Sequence, residues 1–115
     1  MKAGEIYWVE LPARGGRAQA GRRPAIILQA VTTLPTTLLV PLTSQIDALR
    51  FAGTVLVEPD QQNGLPRPSV ALVFQLTAVD NRFITDKLGT ASREIVREIL
   101  SSLDALIGPA ADLNQ

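Results

Sequence analysis

The stretch Arg14-Gly15-Gly16-Arg17-Ala18-Gln19-Ala20-Gly21-Arg22-Arg23-Pro24 separates two runs that are typical of β-strands. The first run, Glu5–Leu11, is rich in β-branched and aromatic residues and is followed by Pro12, which stops a strand. The second run, residues 24–30, is almost entirely apolar and has the length of a buried strand. The quoted stretch is therefore predicted to be a loop between the first two strands.

The composition of this loop fits an anion-binding site. Its three glycines permit backbone conformations that are closed to other residues, and its four arginines carry planar, permanently charged groups that suit phosphate. The same composition also fits a solvated hairpin whose arginines only keep the surface soluble. Composition alone leaves both interpretations open.

The rest of the chain is predicted to be mainly β with one helix. Strands are predicted at residues 34–42, 53–58, 69–80 and 85–89, short helical turns at 46–51 and 81–83, and a loop at 60–68. The apolar runs at 24–30 and 34–42 are expected to be buried on both faces.

An amphipathic helix is predicted at residues 92–107, where apolar residues recur at helical spacing. Ser92 suits its N-cap, and Gly108-Pro109 suits its end. These elements indicate a small, partly open β-barrel with the helix packed against it. We expect one domain over residues 1–109 and a frayed tail over residues 110–115.

Composition excludes several classes of chemistry. The 115 residues include no cysteine and no histidine, so disulfides, thiolate catalysis and the usual near-neutral acid or base are absent. A transition-metal site would need carboxylates alone, and we expect neither a metal nor a cofactor. The first residues have no export-signal pattern and prolines interrupt the longest uncharged run, so we expect a cytoplasmic protein without a membrane span.

Charge is distributed unevenly along a chain whose net charge is zero. The part up to Pro24 is +3, because it holds five basic and two acidic residues, and the remainder is −3. One face of the protein is therefore expected to attract polyanions.

Several motifs together resemble the MazF/PemK toxin family of bacterial toxin–antitoxin systems. They are Gly4-Glu5-Ile6-Tyr7-Trp8-Val9, Gln19-Ala20-Gly21-Arg22-Arg23-Pro24-Ala25 and Pro41-Leu42-Thr43-Ser44-Gln45. The segments at residues 69–76 and 84–89 agree with this resemblance, which extends from Gly4 to Ile107.

The resemblance implies a homodimeric SH3-like barrel that cuts single-stranded RNA at short sequences without a metal. It also implies a cognate antitoxin with an acidic, partly disordered segment. The family's cleavage residues fall on Arg23 and Thr43. Both residue types also have ordinary structural uses, an ion pair for the arginine and a backbone hydrogen bond for the threonine. The candidate RNA-binding residues are Arg14, Arg17, Gln19, Arg22, Ser44, Gln45 and Gln75.

Functions other than RNA cleavage remain open. Ala18 stands where the family commonly has glutamate, so the chain is either a subgroup with a different base, a weakly active member or an inactive variant. The alternatives to a ribonuclease are a gyrase poison on the same fold and an RNA binder that no longer cleaves.

Tyr7 and Trp8 lie on opposite faces of the first strand; one is expected in the core, and only the other can stack on a base.

Overall fold

The computed structural model describes residues 1–12, 21–29 and 33–108. The strands and the helix within these ranges are β1 (Glu5–Leu11), β2 (Gly21–Ile27), β3 (Thr36–Thr43), β4 (Thr54–Val57), β5 (Ser69–Leu72), β6 (Thr77–Asp80), β7 (Ile84–Thr90) and α1 (Arg93–Ile107). Short 3-10 helices lie at Ile46–Arg50, Val73–Gln75 and Asn81–Phe83. The predicted frayed tail, residues 110–115, lies outside the described residues.

The strands form one antiparallel sheet that does not close on itself, with the order β4-β5-β3-β2-β1-β7. Strand β3 is central because it pairs with three others: β2 on one side, and β5 and β6 along different parts of its other edge. The predicted fold class, a mainly β and partly open barrel with a C-terminal helix, is confirmed.

The single long strand predicted at residues 69–80 is wrong. The 3-10 helix Val73–Gln75 divides it, and the backbone N–H of Leu76 bonds to the carbonyl of Val73 at 3.0 Å. Strand β5 then pairs with the end of β3, whereas β6 pairs with its beginning. A mostly apolar run, interrupted at Gln75, concealed this turn, because hydrophobic content alone does not distinguish a turn from a strand.

Two apolar clusters lie on opposite faces of the sheet. Ile6 and Ile26 belong to the larger cluster, which includes Ile99 of the helix, whereas Val9 and Ile27 belong to the smaller one. Neighbouring residues of β2 thus enter different clusters, as the alternation of a strand requires. The prediction of burial on both faces is confirmed for the end of β2, whereas it is wrong for the first half of β3, where Leu38 is 43% exposed.

Helix α1 closes over the larger cluster. The Ser92 hydroxyl accepts a hydrogen bond from the backbone N–H of Ile95 at 3.2 Å, which caps the first turn. The helix ends at Gly108, whose φ of 90° is a conformation that favours glycine. The predicted helix and both of its ends are confirmed. Among the described residues, no helix is long and apolar enough to cross a membrane.

Candidate active site

Strand register brings the two predicted cleavage residues together. In the β2–β3 pair, Ala25 lies opposite Pro41. Because the strands are antiparallel, continuing this register by two residues places Arg23 beside Thr43. A separation of twenty residues in sequence thus becomes a neighbouring position in the sheet.

Both residues line a concave site of about 230 Å³, which we call the arginine cavity. Its polar lining comes from Arg22, Arg23, Thr43, Ser44, Arg67 and Ser69. Trp8, two leucines and two prolines supply its apolar walls. No carboxylate is among these lining residues, so its side-chain charge is entirely positive.

Arg23 is half-buried, and its Nε atom is buried without a hydrogen-bond partner in the described ranges. A buried donor left in this state costs about 1–3 kcal/mol. The guanidinium also makes no ion pair with any described residue. Within the described part of the chain, Arg23 is therefore not held by an ion pair; the alternative of a carboxylate at a dimer surface stays a prediction.

Thr43 is only 4% exposed and ends β3. Its Oγ1 accepts a hydrogen bond from the backbone N–H of Gln45 at 3.2 Å. The structural use expected for a strand-ending threonine is thus present. A hydroxyl that accepts through its oxygen still has its own proton to donate, so this bond does not exclude a second use.

Arg22 is held by two neighbours at the mouth of the cavity. Its guanidinium carbon lies 4.3 Å from the centroid of the Trp8 ring, and its Nη2 atom lies 3.6 Å from a carboxylate oxygen of Asp86. Tyr7, on the opposite face of β1, packs against the smaller apolar cluster. The predicted division of Tyr7 and Trp8 is confirmed, although both residues are only half-buried.

Gln45 and Gln75 do not enter the arginine cavity. They line a second concavity of about 420 Å³, which we call the aromatic hollow, together with Thr43, Arg50, Phe51 and Phe74. The two phenylalanine rings meet edge to face with centroids 5.8 Å apart, and Arg50 lies 4.6 Å above the Phe51 ring. Thr43 borders both concavities, so the predicted site residues occupy two adjacent hollows.

Sequence reasoning missed Arg67, which enters the cavity from the connection between β4 and β5. Its flanking residues, Pro66 and Pro68, indicated only a loop. A signal was present, since an arginine between two prolines has a constrained backbone. The predicted contacts Arg14, Arg17 and Gln19 lie outside the described residues, as does Ala18.

A polar network lies away from the cavity, between β1 and β7. Lys87 Nζ is 2.6 Å from one oxygen of Glu5, and the Tyr7 hydroxyl is 3.3 Å from the other. The hydrogen bond from Lys87 lowers the pKa of Glu5 and raises that of Lys87, while burial raises the pKa of Tyr7. No three metal-ligating side chains cluster anywhere in the described ranges.

Residues 2–107 match the sequence profile of the PemK-like, MazF-like toxins of type II toxin–antitoxin systems. The chain is 27% identical over 111 residues to the endoribonuclease MazF of Staphylococcus saprophyticus, covering 94% of this chain and 92% of that protein. It is 26% identical over 106 residues to the endoribonuclease EndoA of Bacillus subtilis, covering 90% of each.

Solved structures show the same architecture. A crystal structure of MazF from Deinococcus radiodurans aligns with a TM-score of 0.79 and 24% identity, covering 95% of this chain and 97% of that one. A MazE–MazF structure from the same organism aligns with a TM-score of 0.72 and 23% identity, covering 96% and 97%. At these identities the likeness establishes the fold.

Proposed function

The chain belongs to the family of PemK-like, MazF-like toxins of type II toxin–antitoxin systems, and from this premise we propose that it is an endoribonuclease acting at the arginine cavity. Its substrate is single-stranded RNA. The observation that carries the proposal is the buried Nε of Arg23, which has no partner among the described residues, in a cavity whose described lining includes Thr43 and no carboxylate.

In this proposal the RNA supplies the nucleophile. The 2′-hydroxyl gives its proton to a water molecule as its oxygen attacks the adjacent phosphorus, and the bond from phosphorus to the 5′ oxygen of the next nucleotide breaks. The departing 5′ oxygen takes a proton from water, so the products are a 2′,3′-cyclic phosphate and a 5′-hydroxyl. DNA lacks the 2′-hydroxyl and is not a substrate.

Arg23 stabilises the transition state. Attack concentrates negative charge on the non-bridging phosphate oxygens, and a fixed guanidinium facing them lowers the barrier electrostatically. A guanidinium keeps its proton at all ordinary pH values, so charge stabilisation is assigned to it rather than proton transfer. Thr43 donates its hydroxyl proton to a phosphate oxygen or to the 2′ oxygen.

The remaining candidates bind the RNA on either side of this centre. Arg22 and Ser44 border the cavity, and we assign to them contacts with the sugar–phosphate backbone. Gln45 and Gln75 border the aromatic hollow, where amides and ring faces suit a nucleobase. Arg14, Arg17 and Gln19 are proposed as further contacts on the basis of sequence alone.

We extend the proposal to two protein partners. A cavity whose described lining has three arginines and no carboxylate is complementary to an acidic segment, so an acidic antitoxin segment that covers it would block RNA.

The active form is proposed to be a homodimer, which sedimentation equilibrium of the purified chain would test. The named relatives are endoribonucleases, which does not favour a gyrase poison.

The experiment is incubation of the purified protein with long single-stranded RNA in EDTA, beside a 2′-O-methylated copy and single-stranded DNA. We expect cleavage of the unmodified RNA alone, with 2′,3′-cyclic phosphate ends. Cleavage of the methylated RNA or of DNA would contradict the mechanism. Binding of RNA without cleavage would identify the non-cleaving binder.

An Ala18→Glu variant resolves whether the alanine disables the site. We propose that the parent chain is active because Arg23 and Thr43, the two residues assigned to the reaction, both line the arginine cavity. The parent and the variant should then both cleave in EDTA. Cleavage by Ala18→Glu alone would show that the parent site is inactive.

A further inference from the structure

Arg67 is a third arginine of the cavity, and it comes from a different wall than Arg22 and Arg23. It lies just before β5, whose Val70 pairs with Thr43. Three residues of extended chain span at most about 10 Å, so the backbone of Arg67 is held within that distance of Val70. The two walls of the cavity thus each carry guanidinium groups.

The segment before Arg67 is anchored by a buried asparagine. Asn63 is 1% exposed, and its Nδ2 donates to the carbonyl of Glu58 at 2.8 Å. Its Oδ1 accepts hydrogen bonds from the backbone N–H groups of Asp60 at 3.2 Å and Leu65 at 3.0 Å. This bonding makes the connection between β4 and β5 a fixed support rather than a loose loop.

The backbone of Arg67 is fixed as well. Prolines on both sides restrict it, and the Ser69 hydroxyl donates to its carbonyl at 3.2 Å. The side chain nevertheless remains exposed. An anchored backbone that presents an exposed cation is the arrangement expected of a ligand contact, because little ordering cost remains at binding.

Arg67 also differs in charge balance from three other arginines of the described chain. Arg22, Arg50 and Arg82 each lie within 3.6 Å of an aspartate oxygen. Arg67 makes no ion pair with any residue that the structure describes. With Arg23 it supplies the uncompensated positive charge of the cavity.

We propose that Arg67 is a substrate-positioning residue that binds a backbone phosphate next to the scissile one. This inference rests on the proposed ribonuclease function. Arg23 faces the phosphate that reacts, and Arg67 fixes the register of the strand from the opposite wall. Phosphate contacts of this kind position a nucleic acid without reading its sequence.

The first test measures affinity for a single-stranded 2′-O-methylated oligonucleotide, which cannot be cleaved, over a series of salt concentrations. Arg67→Ala should weaken binding about 5- to 10-fold at low salt and reduce the slope of log affinity against log salt by about 0.7, the value for one phosphate contact on a single strand. Arg97→Ala is the matched control, since Arg97 is an exposed arginine outside the arginine cavity that makes no ion pair with described residues. It should bind like the parent.

The second test measures cleavage kinetics. Arg67→Ala should raise KM about 5- to 10-fold with kcat within about twofold, because the lost contact is equal in the ground and transition states. Arg67→Lys, which keeps the charge, should recover most of the affinity. Thermal melts of each variant confirm that the fold is retained.

The outcomes distinguish a failure of the proposed role of Arg67 from a failure of the proposed ribonuclease function. If the parent cleaves and Arg67→Ala binds with the parent's affinity and salt slope, the role of Arg67 is wrong and the ribonuclease proposal stands. A selective loss of kcat would also overturn it, because a positioning contact does not act at the chemical step. If the parent neither binds nor cleaves RNA, both proposals fail.

Discussion

Thr43 borders the arginine cavity on one side and the aromatic hollow on the other, so a single hydroxyl joins the two halves of the proposed RNA site. Its burial keeps the group fixed, and its bond from the backbone of Gln45 sets the hydroxyl's orientation. A fixed donor beside Arg23 is what charge stabilisation requires, because it needs no reorganisation during the reaction.

Thr43→Val tests this role with little change in volume. Loss of a hydrogen bond to a charged group costs about 1.5–3 kcal/mol, so kcat/KM for RNA cleavage should fall about 10- to 100-fold. Thr43→Ser retains the hydroxyl and should remain within about fivefold of the parent by the same reasoning. A valine variant that cleaves like the parent would show that Thr43 is only a strand-end residue.

Some residues of the candidate site could be predicted from the sequence, and others could not. Arg23 and Thr43 were predicted to act together because both belong to recognisable motifs, and the strand register explains why they meet. Their chemical roles remain predictions. Arg67 was missed because its neighbours indicated only a turn, and a side chain's direction from a turn depends on tertiary structure.

Among the elements, β1 and β7 are joined by the pair between Glu5 and Lys87. The pKa of Glu5 is lowered from its usual 4.5, mainly by the hydrogen bond from Lys87. A carboxyl whose pKa is lower when folded stabilises the protein above its unfolded pKa. That contribution is lost as pH falls through the lowered value.

We therefore expect Glu5→Gln to reduce the acid sensitivity of the fold. Urea unfolding midpoints, measured from about pH 6 down to about pH 3, should fall less steeply in the variant than in the parent. Glu94→Gln, an exposed carboxyl in the first turn of α1, provides a comparison away from this pair. Parallel pH profiles for the parent and Glu5→Gln would contradict the assignment.

The turn that precedes Arg67 depends on Gly64. Its φ of +70° is unfavourable for residues with a side chain, and a Cβ there would collide with the Leu88 carbonyl oxygen. Gly64→Ala should lower the free energy of unfolding by about 2 kcal/mol or more, since the conformation costs about 1–2 kcal/mol and overpacking about 1–3 kcal/mol.

Gly21→Ala is the control for this prediction. Gly21 has a similar φ of +83°, but no atom of the described residues lies within 4 Å of where its Cβ would be. Only the conformational cost of about 1–2 kcal/mol should therefore appear in its urea midpoint. Equal losses in both variants would show that the close approach of Leu88 does not constrain the turn.

Element prediction succeeded where local pattern and tertiary packing agree. Strand β1 has its predicted bounds, and α1 is capped by the residues expected from sequence. Residues 69–80 failed because their apolar character reflects burial in two different strands joined by a turn. Strands and turns can be equally buried, so burial does not distinguish them. The directions of β5 and β6 are set instead by the part of β3 with which each one pairs.

For the whole molecule, zero net charge conceals a local imbalance. The sheet brings arginines from β2 and from the β4–β5 connection into one cavity, while the carboxylates with described partners pair elsewhere or at its mouth. Two arginines of the positive N-terminal part thus line the proposed polyanion site, to which Arg67 adds charge from the other part of the chain.

The most direct measurement of the central claim is RNA cleavage in EDTA by the parent, Arg23→Ala and Arg82→Ala. Arg82→Ala is the control, because Arg82, like Arg22, contacts an aromatic ring and an aspartate. It lies over Phe83 at 4.9 Å and pairs with Asp80 at 3.6 Å, but it is not among the residues that line the cavity. We predict that Arg23→Ala loses about 10²–10³ in kcat, the usual effect of removing one transition-state donor, while Arg82→Ala retains the parent's rate. A folded Arg23→Ala protein that cleaves at the parent's rate would contradict the account.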